Sequence, residues 1–432
     1  MMRILKRIFL ALFILIVLLV ISGSLIVHLY GDEIKIVIVE NINKNLKTDV
    51  EVREVDFTIW ENFPKASVVF SNVVIHAVDA KNDTLLSAKK ISAQFDLADI
   101  YQKRYRLIAL EISDGLCYMQ VDNSGKENYI FWNETENDTS SFSTELEKVK
   151  IENIDFQYSN YSKKIDVVFN IKKAAIRGQF SNSQSDLEIQ TDLETTHIQL
   201  GEMSFFENRS LLLDVEGAIN QDSRTIEFNN ANFTVDAIAF SVLGQYEYSG
   251  LNNLDIKIST IDSDLSRAIG LLPSAIREKF QRFKIDGSAS FQGEISGKIS
   301  SPAYNFLFSV NDGALKDKAT ELSFVKTSLN GSITNGSQKG LSSTELIIEN
   351  FESKLSHGKI KGEFKVVNFI NPQYSYQGKV SFELKELVDL MKWNQLSEVN
   401  GNIETDVSIS GGMNEVGKYT IDDWSTHVLL SE

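Results

Sequence analysis

The sequence predicts a mainly β protein, with an N-terminal transmembrane helix followed by an elongated, twisted antiparallel β-sheet and a few short helices. Three observations predict this fold class. A stretch of 20 uncharged residues lies near the N-terminus, a hydrophobic period of two runs through most of the remaining chain, and only 4 of the 432 residues are proline. Because proline cannot donate a ladder hydrogen bond, its scarcity favours long, uninterrupted strands.

The transmembrane helix is predicted over Ile8–Val27. At about 1.5 Å per residue, this stretch spans roughly 30 Å, the thickness of the hydrocarbon core of a bilayer. Three basic residues precede it and two acidic residues follow it, so the positive-inside rule places residues 1–7 in the cytoplasm and the bulk of the chain across the membrane. A cleaved signal peptide is the alternative, but apolar Leu25–Val27 continue beyond the weak cleavage site at Ser22–Ser24, which favours a retained anchor. The predicted membrane-anchor residues are Ile8, Leu12, Leu15, Leu19 and Val27.

Residues 28–48 are predicted to form an amphipathic helix at the membrane-proximal end of the sheet. Apolar residues recur there with a period of 3.6, which is typical of one face of a helix. These residues are Ile34, Val37, Ile38, Ile42 and Leu46. The same pattern would also suit a helix that simply packs on the first strands.

The sheet is predicted over residues 49–432, where apolar and polar residues alternate. In Phe283–Ile299 every odd position is apolar, alanine or glycine, and every even position is polar or charged. Val399–Gly411 shows a second such run. Strict alternation predicts a sheet with one apolar face and one face in water. A slip in the alternation at Glu54 predicts a β-bulge in the first strand.

Strands of this length must bend. Seventeen residues extend for about 56 Å at 3.3 Å per residue, and Gly287, Gly293 and Gly297 provide places for curvature. Long curved strands with one apolar face predict either a barrel or an open, U-shaped sheet. A closed sandwich core remains a third interpretation, because alternation alone does not distinguish a filled interior from a groove.

Three short helices and one loop interrupt the strands. Asp264–Leu271 is predicted as a helix with Asp264 as its N-cap, and Ser274–Phe280 as the next helix after Pro273. Glu383–Trp393 carries apolar residues at helical spacing, and the polar segment Asn133–Ser143 is predicted as a loop.

Composition excludes several classes of function. Beyond Val27 the chain holds 40 basic residues (43 minus 3) against 59 acidic ones, a net charge of −19, which argues against a nucleic-acid partner. The single cysteine, Cys117, permits no intrachain disulfide and no cysteine metal cluster. Gly412–Lys418 matches a phosphate-binding loop, but Tyr419 replaces the Ser or Thr that such a loop needs. We therefore predict no enzymatic activity, no cofactor and no metal site.

Several segments carry a family resemblance in their order and texture. They are Ile42-Asn43-Lys44-Asn45-Leu46, Phe63–Val73, Leu85–Ile91, Phe95–Ile100 and Ile112–Gly115. With the preceding anchor, this order resembles the AsmA-like family of inner-membrane-anchored periplasmic proteins of Gram-negative bacteria. That family is related to TamB and to the eukaryotic chorein-type bridge-like lipid transfer proteins. Family members are often longer, and this chain stops inside a strand-like segment, so we expect that a C-terminal portion is missing.

The resemblance implies a single-pass inner-membrane protein whose periplasmic β-groove, shaped like a taco shell, carries lipid acyl chains towards the outer membrane. The partners would be membrane lipids, most simply phospholipids. The apolar positions of the clearest runs are the predicted groove lining: Ile285, Phe291, Ile295, Ile299, Phe364, Val366, Phe382, Ile403, Val407 and Ile409. The alternative function is a non-enzymatic scaffold that binds an outer-membrane or other envelope protein, or an envelope polymer, during assembly.

Overall fold

The fold was analysed in a computed structural model. It describes residues 36, 46–48, 50–60, 65–78, 80–102, 104–131, 142–179, 184–201, 203–249, 252–272, 274–319, 323–355, 358–385, 388, 401–413 and 419–431. Strands account for 75% of the described residues and belong to one open sheet of 20 strands, accompanied by a few short helices. The prediction of a mainly β fold is confirmed.

The strands are numbered in chain order. They are β1 (Val50–Thr58), β2 (Lys65–Ala77), β3 (Ala80–Asp96), β4 (Tyr105–Val121), β5 (Phe142–Asn160), β6 (Ile165–Gln179), β7 (Gln184–Leu200), β8 (Met203–Phe205), β9 (Arg209–Asn220), β10 (Thr225–Val235), β11 (Ile238–Glu247), β12 (Asn253–Asp264), β13 (Phe283–Lys298), β14 (Ala303–Asp317), β15 (Ser323–Thr334), β16 (Glu345–Leu355), β17 (Gly358–Val367), β18 (Gln373–Glu383), β19 (Asn402–Met413) and β20 (Tyr419–Ser431). The helices are α1 (Leu97–Tyr101), α2 (Leu265–Gly270) and α3 (Ser274–Phe280), with a 3-10 turn at Leu341–Ser343.

Strand order in the sheet follows chain order. Neighbours in sequence pair with one another, except that β7 pairs with both β8 and β9, and β9 then pairs with β10. Every pairing with a described register is antiparallel except that of β4 with β5, which is parallel. A parallel pair needs a connection that returns the chain from the end of one strand to the start of the next.

The chain divides into two compact units, residues 1–214 and 215–432. The first unit contains a buried apolar cluster, which we call the closed core. Its residues come from β1–β3 and α1 with the segment after β1: Phe57, Ile59, Ala66, Val68, Phe70, Val73, Ala93, Phe95 and Ile100. Helix α1 begins where the Asp96 carboxylate accepts a hydrogen bond from the Ala98 amide at 2.7 Å, a standard N-cap.

An irregularity of the backbone crosses the strands of the first unit. Asn72 in β2, Asp114 in β4 and Asn153 in β5 all have positive φ angles, which Asn and Asp tolerate better than most residues. The Asn153 side chain donates a hydrogen bond to Asp114 at 2.7 Å. The bulge predicted at Glu54 needs correction: β1 and β2 keep their register through the slip, and the irregular Asn72 lies next to Ser71, the residue opposite Glu54.

Bulges interrupt β12–β16 in the second unit, and residues with positive φ angles lie beside them as well. Gly287, Asp312, Lys326 and Asn350 have positive φ angles, and each lies next to a shift in strand register. Gly287 has φ 121°, a conformation that a residue with a Cβ atom rarely adopts. Its predicted role in curvature stays a prediction.

The two predicted helices before β13 are confirmed. The Asp264 carboxylate accepts a hydrogen bond from the Arg267 amide at 2.8 Å, so this residue is the N-cap of α2. Helix α3 covers the predicted residues 274–280.

Several predicted segments lie largely outside the described residues. They include the transmembrane helix with Ile8, Leu12, Leu15, Leu19 and Val27, residues 133–141 of the loop predicted over 133–143, and most of the helices predicted over 28–48 and 383–393. The last two residues of the predicted loop are a correction, because they belong to β5. In the first of these two helices Ile36 is helical, whereas residues 46–48 are not; in the second, Leu384, Lys385 and Val388 are helical. Within the part of the chain that the structure describes, no helix is long and apolar enough to cross a membrane.

Candidate functional site

Strand register aligns apolar residues into continuous rows across the second unit. Directly paired residues of antiparallel strands point to the same side of a sheet, so a chain of such pairs traces one face. The longest row crosses eleven strands, β10 to β20. Its residues are Ala231, Val242, Ile258, Gly293, Phe306, Ile333, Leu346, Val366, Tyr374, Gly411 and Ile421.

Two further rows lie on the same side as this one. One crosses β12–β20 through Thr260, Phe291, Phe308, Gly331, Ile348, Phe364, Tyr376, Ile409 and Trp424. The other crosses β10–β14 through Phe228, Gly244, Ile256, Ile295 and Tyr304. We call the side of β10–β20 that bears these three rows the apolar face.

The opposite side of the same strands is mainly polar. A row on this side consists of Asn232, Ser241, Ser259, Gln292, Leu307, Ser332, Ile347, Lys365, Ser375, Ser410 and Asp423. Cross-strand ion pairs lie on this side too, such as Lys379 with Asp406, whose Nζ and Oδ1 atoms are 3.4 Å apart. The sheet of the second unit is therefore amphipathic, as the alternation predicts.

Aromatic rings on the apolar face lie over glycines of neighbouring strands. A Cβ atom added to Gly293 would come within 2.5 Å of the Phe306 ring, and one added to Gly331 within 2.2 Å of the Phe308 ring. Phe306 also stacks with Phe291, with ring centroids 5.4 Å apart. The glycines thus leave room for rings to lie against the sheet, and they explain why glycine recurs among the apolar positions of these strands.

Tyrosines on the apolar face satisfy their hydroxyl groups without leaving it. The Tyr376 hydroxyl donates to the Lys361 carbonyl at 3.1 Å, and burial raises the pKa of this tyrosine. The Tyr374 hydroxyl donates to the Thr420 carbonyl. Both rings remain available to apolar ligands while their polar atoms bind the backbone.

The apolar face is half-buried rather than closed. Phe291, Phe306, Phe364 and Ile409 all retain intermediate exposure. At the β20 end of the face the exposure is greater, and Trp424 is 68% exposed. A filled interior would bury such side chains as completely as the closed core does in the first unit.

Most of the predicted lining residues lie on the apolar face. Phe291, Phe364 and Ile409 share one row, while Val366 and Ile295 belong to the other two. Further predicted residues are joined to it by pairing: Phe382 opposite Ile403, Val407 opposite Gly378, and Ile285 opposite Leu315. Ile299 is different, because it follows the end of β13 and is 49% exposed.

Sequence reasoning missed the contribution of β14–β16. Phe306, Phe308, Ile333 and Ile348 lie in the central rows, yet none was a predicted lining residue. The signal was weakened because apolar Leu307 and Ile347 also occur on the polar side of these strands, which blurs the alternation. The aromatic period of two at Tyr304, Phe306 and Phe308 was the available clue.

The described residues offer no obvious metal centre. Among them, no group of three or more His, Cys, Asp or Glu side chains is arranged to hold a metal ion. The sole cysteine is also poorly suited to nucleophilic chemistry, because burial raises the pKa of Cys117 to about 11. What the apolar face can do by itself is remove hydrocarbon from water.

A depression of about 780 Å³ crosses β16–β20 on the polar side. Its walls carry charges of both signs, including Glu352, Lys361, Lys379 and Asp406. Such a mixed lining suits neither an anion nor an apolar ligand, so we locate the candidate site on the apolar face.

Comparison with protein-family models, curated proteins and solved structures found no match to this chain.

Proposed function

We propose that this chain is a non-enzymatic lipid-transfer protein, anchored in the inner membrane, whose apolar face lines an open periplasmic β-groove. The groove would carry phospholipid acyl chains towards the outer membrane and so support the integrity of the envelope. The observation that carries the proposal is the continuity of the apolar face across β10–β20, combined with its incomplete burial.

The energetics of hydrocarbon in water support a continuous face over isolated apolar patches. Exposing an acyl chain to water costs about 0.8 kcal/mol for each methylene group. A lipid that moves along an unbroken apolar surface avoids most of this cost at every step. Transfer then requires no chemical step, but only a path without high barriers and a driving force located elsewhere.

The polar side of the sheet fits the same proposal. Gln292 and Lys365 lie in the row that faces away from the apolar face, and ion pairs link neighbouring strands on that side. A protein in an aqueous compartment needs such a side, whereas a sheet buried between two other layers does not.

The test compares charges placed on the two sides of one strand. Phe291→Asp and Ile295→Asp introduce a carboxylate into the apolar face, and Gln292→Asp is the matched control on the polar side. We expect all three full-length variants to fold, because the apolar face is half-buried and lets a carboxylate reach water. Only the first two should lose lipid binding.

Folding is measured by protease resistance, and lipid binding by mass spectrometry of lipids extracted from the purified chain. A photoreactive residue at position 291 should crosslink lipid, whereas one at 292 should not. Equal crosslinking from both positions, or unfolding of the Phe291 and Ile295 variants alone, would contradict the groove and favour a closed core. A stable stoichiometric protein partner in place of lipid would instead favour the scaffold function.

A further inference from the structure

An apolar cavity of about 310 Å³ lies where α2 and α3 cover the beginning of β13 and the neighbouring strands. Helices α2 and α3 contribute one wall, and β13–β16 contribute the other. Lining residues from the two walls include Leu265, Ile269, Phe280, Leu315, Leu329 and Phe351. The cavity is distinct from the open part of the apolar face, because two helices cover it.

The chemistry of the lining excludes polar ligands. Among the described lining residues, Thr327 provides the only side-chain hydroxyl, and its oxygen is 2.9 Å from the Ser353 hydroxyl oxygen, within hydrogen-bond distance. A water molecule inside a protein usually needs two to four polar partners, and apolar cavities without them stay dry. The occupant that fits this cavity is therefore a hydrocarbon.

Hydrogen bonds and an ion pair hold α2, α3 and the segment after α3 in place, so the cavity is part of the fold. Asp264 caps the start of α2, and the Arg277 guanidinium donates to the Gly270 carbonyl at 3.3 Å, which joins α3 to α2. After α3, the Lys318 ammonium donates to the Gln281 carbonyl at 2.9 Å, and Arg282 pairs with Asp317. The last two contacts hold the segment that follows α3 to the end of β14.

Strand register connects the cavity with the open apolar face. Phe351, on the cavity wall, lies directly opposite Gly362, which lies opposite Gly378 and then Val407. The ring of Tyr376, on the same side, lies against these two glycines: a Cβ atom added to Gly362 would come within 3.0 Å of the ring, and one added to Gly378 within 2.5 Å of its hydroxyl oxygen. Between the cavity and the predicted lining residue Val407, the surface is therefore formed by flat backbone and an aromatic ring. A chain lying on β17–β19 could thus extend under the helices without crossing a polar row.

From these observations we infer that the cavity holds the terminal segment of one acyl chain of a lipid that lies on the apolar face. This inference rests on the proposed function. A cavity of roughly 150 Å³ lined by apolar residues holds a benzene ring, so about twice that volume accommodates a segment of roughly ten carbons. The pocket would fix the depth and orientation of the lipid, with its headgroup away from α2 and α3.

The test uses two phosphatidylcholines in vesicles, one with a diazirine near the terminal methyl group of an acyl chain and one with a diazirine near the ester. The full chain is irradiated with each, and labelled peptides are identified by mass spectrometry. We expect the terminal probe to label Phe324, Leu329 and Phe351 at least tenfold more than the ester probe does. The ester probe should label β17–β19 instead.

The outcomes separate this inference from the proposed function. Labelling of β17–β19 without labelling of the cavity would overturn the terminal pocket and leave the lipid groove standing. Equal labelling of the cavity by both probes would also overturn it, since lipid would then pass through rather than stop. No labelling anywhere on the apolar face would contradict both proposals.

A pair of variants sharpens the result. Leu329→Trp fills the cavity and should abolish labelling there while β17–β19 remain labelled. Leu307→Trp is the matched control, because Leu307 lies on the polar side of β14 and is 48% exposed. It should leave the labelling pattern of the unmodified chain unchanged.

Discussion

The closed core of the first unit and the apolar face of the second are built from similar sequence patterns but differ in burial. Val68 and Phe95 in the closed core are 0% exposed. Their counterparts on the apolar face, such as Val366 and Phe364, keep intermediate exposure. The comparison teaches that alternation specifies which side of a strand is apolar, whereas the elements packed over that side determine whether it is closed.

Helix α1 shows what closes the first unit. Its Ile100 belongs to the closed core and is almost completely buried. Asp99, also buried, is held by Arg104 and Arg106, each with a guanidinium nitrogen 2.9 Å from a carboxylate oxygen. In the second unit α2 and α3 cover only the part of the apolar face around β13–β16 and leave a cavity there.

The largest expected difference between the two regions comes from a valine-to-aspartate change. In the closed core, Val68→Asp buries a carboxylate without a partner, which costs several kcal/mol and is a large fraction of the stability of a domain. On the apolar face, Val366→Asp should cost much less, because its carboxylate can reach water. We expect the first variant to unfold the strands of the first unit and the second to leave the strands of the second unit folded.

Hydrogen exchange read by mass spectrometry follows each unit separately. The single cysteine adds a chemical readout for the first unit, since burial raises the pKa of Cys117 to about 11 and keeps the folded thiol unreactive near neutral pH. Val68→Asp should make Cys117 react rapidly with a maleimide, and Val366→Asp should not. Comparable unfolding of the two units would mean that the apolar face is a closed core.

How much of this could be predicted from sequence follows from the same comparison. The long alternation at Phe283–Ile299 predicts β13, its apolar side and seven of its half-buried positions, because a period of two encodes which side of the strand each residue faces. Asp264 followed by an apolar helical pattern predicts α2. Neither pattern encodes what lies above the sheet, so the difference between Val68 and Val366 could not be predicted.

Other failures have equally local causes. Helix α1 has only five residues, too few for a helical period to emerge from Leu97–Tyr101. The irregularity at Asn72 preserves the register of β1 and β2, a result that depends on the partner strand and not on the slip at Glu54 alone. Leu307 and Ile347 hid the contribution of β14 and β16 to the apolar face.

A smaller effect is expected where glycines admit aromatic rings to the apolar face. Gly331→Ala places a Cβ atom 2.2 Å from the Phe308 ring and forces that ring away from the sheet. Overpacking of this kind costs about 1–3 kcal/mol. Because the cost arises from one contact, it should largely vanish when Phe308 is already replaced by leucine, which a double-mutant cycle detects as coupling.

The control is Gly340→Ala, since a Cβ atom at that position would meet nothing closer than 3.9 Å. Urea unfolding of the second unit, followed by hydrogen exchange, gives the four free energies of the cycle. Additive effects of Gly331→Ala and Phe308→Leu would show that the ring does not lie over the glycine. The rings of the closed core, Phe57, Phe70 and Phe95, are all buried and so differ from the half-exposed ring of Phe308.

The smallest expected effect distinguishes a hydrogen-bonded carboxylate of the first unit from an ion-paired lysine of the second by the pH range in which each contributes stability. In the first unit, burial alone would raise the pKa of Asp166, but hydrogen bonds from Ser159 at 2.6 Å and His197 at 2.8 Å outweigh it and lower the pKa. In the second unit, Asp406 is the main cause of a raised pKa for Lys379.

The two pKa shifts make stability depend on pH in opposite directions. A carboxylate whose pKa is lowered on folding stabilises the protein above its unfolded value of about 3.9 and loses this contribution as the pH falls. An ammonium whose pKa is raised stabilises it below about 10.4 and loses this contribution as the pH rises.

Asp166→Asn should therefore cost the first unit about 0.5 kcal/mol or less at pH 7, since the pair is partly exposed, and almost nothing near pH 2. Lys379→Gln should remove a contribution of the second unit that is present at pH 7 and that otherwise fades above pH 10. Urea midpoints at pH 2, 7 and 11, read by hydrogen exchange after return to a common quench, measure both. A loss from Asp166→Asn that persists at pH 2 would show that the hydrogen-bonded carboxylate is not the source of the stability.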